Sequence, residues 1–191
     1  MKYGKEVVPV IPPKDMVVGD PSAPVTLVEF GDYESTECAQ ANEAVKQVLE
    51  KYDGKVKFIF RHFPLTMIHQ KAHKAAEAAI GAGQEGKFWP MHQLLFDNRR
   101  NLGSISLKSY AREAGVTNKR FLDELIGGNW GWNVQDDLRE GLERGVRTIP
   151  TFFINDERLE GEATAKRLGA AIEEAIAHEE QLASMPKKRR A

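Results

Sequence analysis

Cys38 and Ser35 are the first residues whose types and spacing suggest chemistry. Cys38 is the only cysteine in the chain, and Ser35 stands three residues before it, where a helix is predicted to begin. A thiol at the start of a helix faces the positive end of the helix dipole, which favours the thiolate that attacks disulfides. Serine in that place is a good helix cap, but its hydroxyl is barely acidic, and no histidine nearby in the sequence could activate it. We therefore interpret Ser35 as a cap.

Cys38 itself permits two interpretations. It extends an apolar stripe with Ala41, Val45 and Leu49, which is typical of a small buried hydrophobic residue. In the other interpretation it works as a single thiol through mixed disulfides. No internal disulfide can form in a chain with one cysteine.

Glu29 adds a carboxyl group close to the same helix start. It lies six residues before Ser35, in an otherwise apolar strand. Burial would raise the pKa of this carboxyl unless a cation compensates it, and Lys57 on the neighbouring predicted strand is a candidate. A structural ion pair and a proton-transfer role both stay open.

Four histidines raise the question of a metal site. His69 and His73 are one helical turn apart, and His62 and His92 stand elsewhere in the chain. Two histidines at that spacing, without a thiol or carboxylate placed to join them, are weak evidence for a metal ion. We expect no metal site.

Composition argues against several classes of function. The 191 residues carry a formal net charge of −1, and 41% of them are hydrophobic. This balance is typical of a soluble domain, and it gives no global field that would recruit nucleic acid or an anionic membrane. No apolar run is long enough for a signal peptide or a membrane-spanning helix, so we expect the chain as written to be cytoplasmic, or exported if a signal peptide has been removed from it. The composition leaves the oligomeric state undetermined.

The hydrophobic periodicity predicts a βαβ unit near the N-terminus. A strand at 25–30 is followed by a helix from about residue 35 and a second strand at 56–63. Two strands joined by a helix in so short a segment should be parallel. The proline-rich residues 1–21 are predicted to form an extended arm over the domain.

The rest of the chain predicts a helical segment and then a second mixed unit. Residues 64–145 carry only helical patterns, with one helix from His69 and another capped by Thr117. Strands at 151–154 and 158–160 form a hairpin, and a final helix follows. Residues 183–191, which include four consecutive basic residues, should be a disordered tail.

Four short runs resemble signatures of the DsbA-like thiol–disulfide oxidoreductases, and they occur in the order expected for that family. The runs are Ala23-Pro24-Val25-Thr26-Leu27-Val28-Glu29-Phe30-Gly31-Asp32-Tyr33-Glu34, Arg61-His62-Phe63-Pro64-Leu65, Gly86-Lys87-Phe88-Trp89 with Met91-His92, and Ile149-Pro150-Thr151-Phe152-Phe153-Ile154-Asn155.

The resemblance implies an α/β thioredoxin fold, with βαβ and ββα halves and an inserted all-helical subdomain. The domain would span residues 22–182, with its core at 22–63 and 146–182 and the insert at 64–145. The element order agrees with this arrangement.

The same resemblance implies roles for particular residues. Family members carry Cys-x-x-Cys at the helix start, whereas this chain has Ser35-Thr36-Glu37-Cys38, so the attacking cysteine is replaced by serine. Glu29 matches the buried acid that assists proton transfer beneath the cysteines. Ile149 and Pro150 match the cis-proline loop, which offers backbone hydrogen bonds to an extended substrate.

Three functions follow as alternatives. The first is a divergent DsbA-family oxidoreductase, weak or inactive as a dithiol oxidase, with at most single-thiol chemistry at Cys38. The second is a module that binds peptides or proteins without catalysis. The third resembles kappa-class glutathione transferases and chromene-carboxylate isomerases, in which a serine like Ser35 donates a hydrogen bond to the glutathione thiolate. The partner is accordingly a thiol- or disulfide-bearing protein or peptide, or glutathione as cofactor.

Overall fold

The structure is a computed structural model in which residues 10–185 are described. Within this range a five-stranded sheet has the order β1-β3-β2-β4-β5. The strands are β1 (Val17–Val18), β2 (Val25–Gly31), β3 (Val56–His62), β4 (Thr151–Ile154) and β5 (Glu157–Arg158).

Seven α-helices surround the sheet within the described residues. They are α1 (Thr36–Lys51), α2 (Ala72–Gly83), α3 (Phe88–Asp97), α4 (Ser104–Glu113), α5 (Phe121–Ile126), α6 (Gly131–Glu143) and α7 (Ala165–Ser184). None of the helices in residues 10–185 is long and apolar enough to cross a bilayer.

The strand pairing confirms the thioredoxin fold with a helical insertion. β2 and β3 are parallel, with Val25 opposite Val56, and β4 runs antiparallel to β2, with Thr151 opposite Phe30. Parallel strands need a crossover, and α1 supplies it. Helices α2 to α6 separate the βαβ half from the ββα half, as the sequence predicts.

The two faces of the sheet carry separate apolar cores. Because side chains alternate along a strand, Leu27 and Phe58 point to the face that packs against α1, α7 and most of the insert. Phe30 and Phe153 point to the opposite face, where the smaller core includes Val146. Glu29 has the same parity as Leu27 and therefore lies on the α1 face.

Several boundaries and contacts differ from the sequence-based expectations. Residues 1–9 of the predicted arm lie outside the described range. In the described part, the arm is not simply extended, because Pro13–Asp15 form a 3₁₀ turn and β1 adds an antiparallel edge strand to β3. The Thr117 hydroxyl donates to Glu85 instead of capping α5, which begins four residues later, at Phe121. The expectation of a disordered tail falls mainly on residues 186–191, which lie outside the described range, whereas α7 extends to Ser184.

Candidate functional site

Ser35 caps α1 and uses both hydrogen-bonding roles of its hydroxyl to do so. The Ser35 Oγ accepts a hydrogen bond from the Cys38 backbone N–H at 3.1 Å and donates to Glu37 Oε2 at 2.9 Å. The extended backbone of Ser35 is typical of an N-cap residue. Only 2% of Ser35 is exposed, so the hydroxyl lies largely beneath the surface.

Cys38 is fully buried on the inner face of α1. Its exposed fraction is 0%. Burial raises the pKa of the Cys38 thiol far above its usual range, and the nearby Glu29 carboxyl raises it further, while contact with Ser35 acts in the opposite direction. Cys38 therefore stays a protonated thiol at neutral pH, which is the unreactive form.

Glu29 lies in the same buried region without a compensating partner. Its exposed fraction is 0%, and neither carboxylate oxygen has a hydrogen-bond partner within residues 10–185. Burial raises the pKa of Glu29 well above its usual range, so the carboxyl is held in its neutral form.

The expected ion pair between Glu29 and Lys57 is wrong. Lys57 lies opposite Thr26, and its Nζ donates to the Pro21 carbonyl at 3.0 Å. Strand alternation explains the difference, because Lys57 and Glu29 point to opposite faces of the sheet. The alternation of Phe58 and Phe60 in the sequence already indicates that Lys57, which lies one residue before Phe58, points to the other face.

Asp32 is a site residue that the sequence reasoning did not single out. Its buried carboxylate accepts hydrogen bonds from the Leu65 backbone N–H at 2.9 Å, the Glu34 backbone N–H at 2.8 Å and the His69 Nδ1 at 2.8 Å. Asp32 therefore joins the segment before α1 to the segment before α2. Buried carboxylates need such partners, but these are up to 37 residues distant in sequence.

The loop between β3 and α2 is anchored beside Ser35 by two acidic side chains. In addition to the Asp32 bonds, Glu34 Oε2 accepts a hydrogen bond from the Lys71 backbone N–H at 2.7 Å. Between these anchors the loop exposes Met67 at 94% and Ile68 at 70%. The result is an ordered loop with an apolar tip, a kind of surface that often marks a binding site.

Behind the start of α1, Tyr33 belongs to a buried hydrogen-bonded chain. Its hydroxyl lies 3.0 Å from His92 Nδ1, and His92 Nε2 lies 3.1 Å from Asn42 Oδ1. Burial lowers the pKa of His92 to about 3, so the ring is neutral and can accept from Tyr33 while donating to Asn42. Burial also raises the pKa of Tyr33 well above its usual range.

Ile149 and Pro150 lie at the same end of the sheet as Ser35. The peptide bond between them is cis. Thr151, the next residue, pairs with Phe30 near the end of β2, and Ser35 follows β2 by four residues. The structure thus brings the start of α1, the Asp32-anchored loop and the segment before β4 to one edge of the domain.

Each of the four histidines considered as metal ligands lies close to a polar side chain of the protein. His62 Nδ1 lies 2.8 Å from Asp137 Oδ2, and His73 Nδ1 lies 3.1 Å from Glu77 Oε1. His69 and His92 are held by Asp32 and Tyr33 as described above. In residues 10–185, no group of three or more histidine, cysteine, aspartate or glutamate side chains is arranged to hold a metal ion.

Comparison with known proteins places the chain in a family. The sequence model described as thioredoxin matches residues 12–174, so the chain belongs to the thioredoxin family. Its fold, including the helical insertion, is shared with the DsbA-like proteins among its structural neighbours.

Solved structures share the whole arrangement. BdbD from Bacillus subtilis superposes with a TM-score of 0.78 at 24% identity, covering 87% of this chain and 93% of BdbD. The alpha-DsbA1 protein of Wolbachia pipientis gives a TM-score of 0.72 at 20% identity, covering 88% and 94%. A periplasmic thioredoxin-like protein from Salmonella enterica serovar Typhimurium gives 0.69 at 25% identity, covering 84% and 89%.

Curated relatives by sequence are much longer proteins. The Na⁺/H⁺ antiporter NhaA 1 of Salinispora arenicola is 37% identical over 171 residues, which are 90% of this chain and 26% of the relative. NhaA 1 of Mycobacterium sp. strain KMS is 34% identical over 167 residues, covering 86% and 27%. The chain therefore spans about a quarter of the length of these relatives.

Proposed function

We propose that this protein is a DsbA-like module that is inactive as a dithiol oxidase and binds extended thiol- or disulfide-bearing peptides without exchanging disulfides with them. The observation that carries the proposal is the complete burial of Cys38, three residues after Ser35, which caps α1. Dithiol exchange requires an accessible thiolate to attack and a second thiol to release the product. This chain has one thiol, and it is buried and protonated.

Binding would use the edge at which three segments meet. Ile149 and Pro150 precede β4 at that edge, and Met67 and Ile68 form the apolar tip of the anchored loop. A peptide could place main-chain groups along residues 149–150 and apolar side chains against the tip. The loop's hydrogen bonds to Asp32 and Glu34 reduce the entropy lost when a peptide binds there.

The other two functions have less support from the contacts. Single-thiol chemistry would require Cys38 to reach solvent, which its burial opposes. Stabilising a glutathione thiolate would require the Ser35 hydroxyl proton, which is donated to Glu37 instead. The exposed Glu37 carboxylate would also repel an incoming thiolate.

The catalytic half of the proposal is tested by insulin reduction. We expect no turnover by the natural protein or by a Ser35→Ala control. A Ser35→Cys variant restores the missing thiol at the start of α1 and should gain turnover if the surrounding scaffold still supports exchange. Robust turnover by the natural protein would refute the proposal. In parallel, Cys38 should react with a thiol reagent in the native protein no faster than the chain unfolds.

The binding half is tested with a fluorescently labelled insulin B chain whose thiols are carboxymethylated, so that no disulfide can form. We expect saturable binding that weakens in a Met67→Ser, Ile68→Ser double variant. Ile105→Ser is the matched control, because Ile105 is 76% exposed on α4. Equal affinities in all three proteins would show that the loop tip is not part of the binding surface.

A further inference from the structure

An open groove lies away from the start of α1, between the β4–β5 hairpin and α7. It has a volume of about 570 Å³. Ile154 in its wall pairs with Leu27, near the beginning of β2, whereas Ser35 follows the end of that strand. The groove is therefore at the opposite end of the sheet from the proposed peptide-binding edge.

The floor and the rim of this groove differ in chemistry. The floor is formed by aliphatic side chains, those of Ile154, Leu159, Ala171 and Ala175. The rim is predominantly acidic, with four glutamates, one arginine and one histidine: Glu157, Glu160, Glu174, Glu179, Arg158 and His178.

Two of these acidic side chains have no ion-pair partner among the described residues. Glu157 and Glu174 are exposed, and neither forms a salt bridge within residues 10–185. By contrast, Glu179 accepts a hydrogen bond from Asn155 at 3.3 Å, and Glu160 lies 3.7 Å from Arg158. Within the described part of the chain, two of the four carboxylates at the groove are thus left without an ion-pair partner.

We propose that this groove is a docking site for a cationic, extended segment of a partner protein. Lysine and arginine carry an aliphatic stem and a charged head, so one side chain can cover the apolar floor while its head reaches the acidic rim. The rim holds four carboxylates against one guanidinium and one imidazole in a chain whose net charge is only −1, so its charge complements a cationic segment. Such pairing favours fast, salt-sensitive association with basic partners.

The probe for this site is a fluorescein-labelled hexapeptide of alternating lysine and arginine, titrated into the full chain and followed by anisotropy. We expect binding that weakens as salt is added, and none to a glutamate hexapeptide with the same label. A Glu157→Gln, Glu174→Gln double variant should weaken binding roughly two- to thirtyfold. Unchanged affinity in this variant would overturn the proposal.

Two further proteins distinguish the groove from general surface charge. Glu50→Gln combined with Glu113→Gln removes the same charge from exposed positions on other helices, and it should leave the affinity almost unchanged. Equal loss in both double variants would mean nonspecific attraction. Neutralising the chain's own Lys187, Lys188, Arg189 and Arg190 to glutamine should have no effect on binding. If it tightens binding, the chain's own basic residues compete for the groove, and the proposal of a separate partner is wrong.

Discussion

Asp137 and Glu29 are two buried acids close to the same sheet, and the protein accommodates them in opposite ways. Asp137 on α6 accepts hydrogen bonds from Arg61 Nε at 2.7 Å and the His62 backbone N–H at 2.9 Å. Glu29 on β2 has no hydrogen-bond partner for either carboxylate oxygen among the described residues. One acid is built into a network of hydrogen bonds, whereas burial raises the pKa of the other and favours its neutral form.

The difference separates a carboxyl group that links two elements of the fold from one that links none among the described residues. The Asp137 network fastens α6 to the end of β3, and Glu140 completes it with two bonds to the Arg61 guanidinium. Glu29 forms no such link between elements within the described residues. Its carboxyl lies near Cys38, Phe60 and Gly31. A β-carbon at Gly31 would lie 3.0 Å from Glu29 Oε1 and 2.7 Å from the Phe60 ring. The fold thus keeps room for an unpaired acid that does not stabilise it.

The largest expected effect comes from removing the paired acid. Asp137→Ala leaves Arg61 Nε and the His62 N–H without their acceptor, and breaking a buried ion pair in this way costs about 3–5 kcal/mol. The free energy of unfolding from chemical denaturation measures it. Asp136→Ala is the neighbouring control, since Asp136 pairs with Arg139 at the surface, and it should change stability by less than about 1 kcal/mol. Similar losses in both variants would contradict the comparison.

Replacing Glu29, the unpaired acid, should change the free energy of unfolding in the opposite direction at neutral pH. The size of this change should depend on pH. The pKa of Glu29 is raised in the folded state above its unfolded value, near 4.5. Its favourable contribution to the free energy of unfolding is therefore complete below that unfolded pKa and is lost as the pH rises towards the folded pKa. Relative to Glu29→Gln, the natural protein should lose about 1.4 kcal/mol per pH unit over that window. Denaturation at a series of pH values gives this slope, and a flat difference would show that Glu29 is ionised when folded.

Glu77 supplies the matched control for Glu29. It is also a buried glutamate, but it accepts from Lys74 at 2.7 Å and lies 3.1 Å from His73 Nδ1, and its pKa is lowered despite the opposing effect of burial. Its contribution to stability is therefore present above the unfolded pKa and is lost as the pH falls. Glu77→Gln should destabilise the protein at neutral pH, whereas Glu29→Gln should not.

The comparison also shows what could be predicted from the sequence. The βαβ unit, the apolar stripe of α1 and the cap at Ser35 are local patterns, and the local motifs sufficed to predict the fold. The partners of Asp137 could not be predicted, because Arg61 lies 76 residues away in the sequence. Only the packing of α6 against the end of β3 brings the two side chains together. Asp32 and His69 present the same difficulty across 37 residues. Polar partners across a fold leave no periodic signal, whereas the burial of apolar residues does.

The smallest expected effect tests Ser35 as a cap. Ser35→Ala removes the acceptor for the Cys38 N–H at the start of α1, and loss of an N-cap side chain costs about 0.5–2 kcal/mol. Thr164 is the matched control, because its hydroxyl accepts from the Arg167 N–H at 3.2 Å at the exposed start of α7. Thr164→Ala should fall at the lower end of that range and Ser35→Ala at the upper end, since only the bond at Ser35 is buried and water cannot replace it. Both values come from chemical denaturation at neutral pH. If Ser35→Ala proves neutral, the serine is not retained for the helix, and a role for its hydroxyl toward a bound ligand becomes the better explanation.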